Sequence, residues 1–155
     1  MMIPLLLLGC AESEPVEASS GAAAADFAGP PGRVIDFVPV GQPTETGISL
    51  VILDGAWEVV GTDQLVTSYV SHLGDDGLRV DDQVLLPPRL AEGTTVGGAA
   101  VTAVGEQETW YGTFPDTVRV AVDDGAFAGE LVFARDVGLV VVVWQGWSGE
   151  LAYYE

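Results

Sequence analysis

His72 is the one imidazole in the chain, and it stands three residues before the acidic doublet Asp75-Asp76. An imidazole beside a carboxylate is the minimum for a general base. A nucleophile to accompany it is missing: Ser68 and Ser71 lack the glycine-flanked elbow that presents a reactive hydroxyl, and no cysteine is near. A lone histidine beside a turn reads as a surface residue. Acidic doublets recur at Asp81-Asp82 and Asp123-Asp124. Clustered hard oxygens could hold calcium, but none of these doublets has the spacing of a calcium loop, and Asp-Gly in a hairpin needs no ion. Glu106 and Glu108 alternate onto one strand face and could imitate a glycosidase pair. A solvated face looks the same. No glycine-rich phosphate loop is present either. These patterns predict no catalytic residue, no metal ligands and no cofactor. A hydrolase using Glu106/Glu108 or Asp123/Asp124 stands as the alternative to a binding protein.

Cys10 is the single cysteine, so neither an intrachain disulfide nor a cysteine-built metal site can form. It ends the run Met1-Met2-Ile3-Pro4-Leu5-Leu6-Leu7-Leu8-Gly9, which is far short of the ~20 residues that span a bilayer. Such a run fits the apolar region of a secretory signal. Leu7-Leu8-Gly9-Cys10 resembles the lipobox of bacterial lipoproteins. The resemblance implies a signal peptide over 1–9, cleavage before Cys10, and a diacylglyceryl thioether on its sulfur. No Lys or Arg precedes the apolar run, so the basic segment that opens such signals either lies upstream of Met1 or is dispensed with. Ala11, rather than Asp, follows the cysteine; by enteric-type sorting this implies the outer membrane, facing the periplasm or the surface.

The next segment, Ala11 to Arg33, is built of Ala, Ser, Glu, Gly and Pro, with Val16 and Phe27 its only sizeable apolar side chains. Such a composition predicts a flexible, lipid-anchored linker over 10–33. Residues 34–155 are then left as one folded domain, long enough to bury a core.

That body alternates like strands rather than helices. Val118, Val120 and Val122 point one way and Thr117, Arg119 and Ala121 the other. Asp123-Asp124-Gly125 then turns the chain into Phe127–Phe133, and Asp75-Asp76-Gly77 joins Leu65–Leu73 to Leu78–Val84. Leu139–Trp144 is unbroken apolar, which predicts a central strand covered on both faces. It returns as Glu150–Tyr154 through residues 145–149. Further strands are expected at Val34–Val40, Gly47–Leu53, Trp57–Val60 and Val101–Tyr111, whereas the tandem prolines make Leu85–Leu90 an extended connection. The fold class is all-β: eight to ten antiparallel strands in a curved or partly closed sheet, a half-barrel or small barrel or sandwich.

With 23 acidic residues against 5 Arg and no Lys, the net charge is −18. This disfavours nucleic acid and anionic headgroups as partners of the folded body. Trp110, Tyr111, Trp144, Trp147 and Tyr153 crowd the last third. Strand-borne aromatics usually pack a core. Gathered in a concave sheet, they would instead line a site for an apolar ligand. Inward positions enclosing a cavity would imply such a ligand; a filled interior would imply a partner protein of the envelope or a structural role.

From about Leu85 onward the chain resembles a group of β-rich bacterial envelope proteins of unknown function, many of them lipoproteins. The matching pieces are Pro87-Pro88, Glu92-Gly93-Thr94, Gly112-Thr113-Phe114 before Thr117-Val118-Arg119-Val120, and Val137-Gly138-Leu139-Val140. Arg135-Asp136 stands where that group has Pro-Gly, and Val96 where it often has Trp. The resemblance implies a membrane-anchored envelope protein and transfers no functional residue. In a host that processes lipoproteins, Cys10→Ser is expected to abolish precursor processing and to move the protein from the detergent phase to the aqueous phase, measured by phase partitioning.

Overall fold

A computed structural model describes residues 22–40, 47–144 and 147–155. The signal, Cys10, the first half of the linker and the turn residues Gln145 and Gly146 lie outside the described residues. Twelve strands run in chain order as β1 (Val34–Pro39), β2 (Ile48–Leu53), β3 (Ala56–Val60), β4 (Val66–Gly74), β5 (Gly77–Val80), β6 (Gln83–Leu86), β7 (Thr95–Val96), β8 (Ala99–Glu108), β9 (Thr113–Val122), β10 (Gly129–Ala134), β11 (Gly138–Trp144) and β12 (Trp147–Tyr154). They form one sheet in the order β6-β5-β4-β3-β2-β1-β12-β11-β10-β9-β8-β7. Two antiparallel meanders thus meet where β1 pairs with β12. At the far side β6 packs against β8 and β9, so the sheet closes nearly into a barrel.

Alternation decides what faces inward. Ile35, Phe37, Leu50, Ile52 and Trp57 from the first meander oppose Val101, Val118, Val120, Leu131, Phe133, Val142 and Leu151 from the second, all of them buried. Each branched or aromatic side chain buried here gains ~1.5–3 kcal/mol of transfer free energy. The all-β expectation holds. Gly112 and Gly138 stand at strand starts, and Pro115 lies on an edge: β9 pairs with β10 only from Thr117 onward.

Several boundaries differ from the sequence reading, each for a local reason. The run expected as one strand, Leu78–Val84, is two, because Asp81 and Asp82 both take positive φ (49° and 63°) and make a two-residue hairpin loop. Leu85 and Leu86 belong to β6, and only Pro87-Pro88 is extended connection, since proline lacks the ladder donor. Trp147 sits on β12 opposite Trp144, not in a turn. Phe127 precedes β10 and is buried. In β11, Leu139 and Val140 are covered on both faces, but Val143 is 38% exposed, so two-sided cover stops halfway along the strand.

The larger correction concerns the linker. Residues 22–33, expected within the linker, belong to the folded body. Phe27 is 0% exposed, and Ala24 and Ala28 are buried beside it. The segment forms a strap across one end of the barrel. Ala23 bridges Arg89, and a short 3₁₀ turn spans Ala24–Asp26, where the Asp26 carboxylate accepts from the Ala23 N–H at 3.1 Å. The Asp136 N–H donates to Asp26 O at 2.8 Å, and the Gly32 N–H to Ile52 O at 2.7 Å. Arg135 lies over the Phe27 ring at 4.9 Å while pairing with Asp116. Gly29, at φ 80°, is required: a Cβ there would stand 2.7 Å from Ile52 Cδ1 and 2.8 Å from Val137 O. One aromatic and one glycine turn a polar-looking segment into a lid.

Two substitutions separate these contributions. Val142→Asp buries an unpaired charge and is expected to lower unfolding free energy by more than ~3 kcal/mol. Phe27→Ala is expected to cost about 3–4 kcal/mol, a loss that a free linker would not show. Urea denaturation of both variants measures each effect.

Candidate functional site

Beneath the strap the sheet opens. β3 begins at Ala56, whereas its neighbour β4 continues down to Gly74, so the β2–β3 and β4–β5 hairpins part below that level. β4 changes partner at this point: Val70 pairs with Ala56, and Ser71 with Val80. Asp81 fixes the exchange, its carboxylate accepting from the Val70 N–H at 3.0 Å while its own N–H donates to Val70 O at 2.8 Å. The Ser71 N–H donates to Gly55 O at 3.0 Å, which ties the Asp54-Gly55 turn to β4.

The result is a cleft of about 440 Å³ between the two hairpins, roofed by Ala28, Gly29 and Pro31 of the strap. Its floor is core: Ile52, Trp57 and Leu78. Leu53, Leu73, Asp54, Ser71 and His72 form the rim, with Leu73 46% exposed. This size and pattern, an apolar floor with a few polar groups at the mouth, is that of a small-molecule site. His72 also borders a second depression of about 450 Å³ on the outer face, lined by Val70, Asp76, Arg79, Asp81 and Asp82. There Arg79 Nε pairs with Asp76 at 2.7 Å. That depression has no buried floor.

Behind the cleft the core holds an aromatic cluster. Phe127 reaches in from the β9–β10 connection to meet Trp57 at 5.8 Å, Tyr69 at 4.9 Å and Trp144 at 5.5 Å, all in tilted or edge-on contacts. The aromatics expected to line one groove are divided by the length of β12. Trp144 and Trp147 lie at its start, and Trp144 packs into the core. Trp110, Tyr111 and Tyr153 belong to the other end, 62%, 50% and 51% exposed. The β8–β9 tip there is pinned by the Tyr111 N–H donating to Leu151 O at 2.9 Å. Glu106, Glu108, Asp123 and Asp124 are all exposed. Among the described residues no group of three or more His, Cys, Asp or Glu could hold a metal ion.

Sequence reasoning overlooked Asp54-Gly55, although Asp-Gly between two apolar runs is a hairpin signal. It also passed over Phe27, because one aromatic in a polar segment has no periodicity to reveal it.

Tyr154, inward at the end of β12, stands 5.1 Å from Tyr111, with Arg33 over its ring at 4.8 Å. Burial raises its phenol above the ordinary value near 10, Tyr111 adds to the rise, and the Arg33 charge opposes it. The folded chain therefore keeps this proton past the pH at which the unfolded chain releases it. The stability gained is complete below about pH 10 and is lost as pH rises through the folded value. Unfolding midpoints measured from pH 9 to 11 are expected to fall more steeply in the natural chain than in Tyr154→Phe.

No family model matches the chain, and no curated protein or solved structure resembles it at a significant level.

Proposed function

We propose that this chain is a lipid-anchored envelope protein whose β domain is a non-enzymatic binding module, with the strap cleft as its site. The observation that supports the reading is the cleft's construction: a floor of Ile52, Trp57 and Leu78 bordering a space of about 440 Å³, beside a core packed with Phe127, Tyr69 and Trp144. A barrel that holds its ligand centrally needs an empty interior. Here the space lies under the strap instead. A small apolar ligand, or an apolar side chain of an envelope protein, suits that space. Lipidation of Cys10, ten residues into the chain and before the acidic segment, supplies the membrane attachment; more than one acyl chain makes such attachment stable. The outer membrane is the proposed site, on the sorting argument from Ala11.

The rim permits a direct test. Leu73 is half-exposed, so Leu73→Trp fills the mouth without entering the core. Protein purified from its own envelope is expected to carry a bound small molecule or partner, identified by mass spectrometry. Leu73→Trp is expected to lose it while keeping the unfolding midpoint within a few degrees. A ligand retained by the filled variant places binding elsewhere; turnover of an ester or glycoside by the purified chain overturns the reading.

A further inference from the structure

We propose that the strap cleft selects a ligand with an apolar body and a cationic group, an alkylammonium in chemical class; this rests on the cleft being the binding site. The floor provides for the body: Ile52, Trp57 and Leu78 are apolar and continuous with the core. The field provides for the charge. The chain has 23 acids against 5 Arg, and four of those arginines have partners within the fold. Arg79 pairs with Asp76, Arg119 with Glu130 and Arg135 with Asp116. Arg33 donates to Asp136 O at 3.1 Å and covers the Tyr154 ring.

Asp54 stands on the rim, on the exposed turn that closes β2 and β3. Among the described residues it has no ion-pair partner. Across His72, in the adjoining depression, lie Asp81, Asp82 and the Arg79–Asp76 pair. A ligand seated with its tail against Trp57 and Leu78 would present its head to Asp54, with Asp81 and Asp82 beyond. An anionic head there meets repulsion and gains no compensating cation; a neutral head gains nothing from the field. One carboxylate about 4 Å from a cation in solvent contributes about a fivefold preference.

The test uses the full-length chain carrying Cys10→Ser, so that no lipid competes, with three soluble probes below their micellar concentrations. These are octyltrimethylammonium, octanol and octanesulfonate, titrated by calorimetry at low and moderate salt. Octyltrimethylammonium is expected to bind about fivefold more tightly than octanol, and octanesulfonate most weakly. Asp54→Asn is expected to bring octyltrimethylammonium to the octanol level and leave octanol unchanged, while Asp54→Glu keeps the preference. Glu108→Gln, exposed on β8 and lining neither depression, is expected to leave all three unchanged. Equal affinities for the three probes overturn the proposal and leave the cleft reading standing. Equal losses in Asp54→Asn and Glu108→Gln also overturn it, because they mark a diffuse attraction by net charge. If none of the probes binds, the cleft reading itself falls.

Discussion

The ladder between β1 and β12 is the constraint on which the rest of this molecule depends. Each six-strand meander is built from local hairpins, yet neither encloses a core alone. Their union comes from pairing the first strand with the last, across most of the chain. It is clamped at its end by two reciprocal bonds, Val34 N–H to Glu155 O and Glu155 N–H to Val34 O, each 3.1 Å. A register shift between Asp36 and Phe37 resets the alternation there. It leaves Ile35, Phe37, Leu151 and Tyr154 on the inner side and Tyr153 on the outer. Long-range closure of this kind is costly in chain entropy and slow to form. The hairpins that precede it shorten the search.

An almost closed sheet still has two edges, and both are kept short. β6 has four residues and stops at Pro87-Pro88; β7 has two. Proline withholds the ladder donor, and Asp81-Asp82 places charge at the other end of β6, so the β6 edge offers no long template to another chain. The same acidic doublet performs a second task, since Asp81 fixes the exchange of partners in β4 that opens the cleft. Edge protection and site geometry thus share a residue.

How much of this was legible depended on periodicity. The Val118–Val120–Val122 alternation and the Asp-Gly turns reveal the second meander, because strand period and turn chemistry are local properties. Ladder partners across the chain have no such signature, so the strand order, with β1 beside β12, was beyond reach. Asp81-Asp82 stood out only as a pair of hard oxygens, because aspartate tolerates positive φ without advertising it. The cleft was invisible for a related reason. Its floor is Ile52, Trp57 and Leu78, three unremarkable strand residues, and its roof is a segment whose composition reads as disorder. The aromatics that did stand out were those with the least in common in space.

The strap alters the geometry of attachment. By incorporating residues 22–33 into the barrel's end, it leaves eleven residues between Cys10 and Ala22. Fully extended, a segment of that length reaches no more than about 40 Å. On the proposed lipidation of Cys10, the domain would be confined to a thin shell over its bilayer, with the strapped end, and the cleft beneath it, nearest the anchor in sequence. Within such a shell the encounter rate is set by diffusion along the surface, and whatever occupies the cleft must come to the membrane to be met.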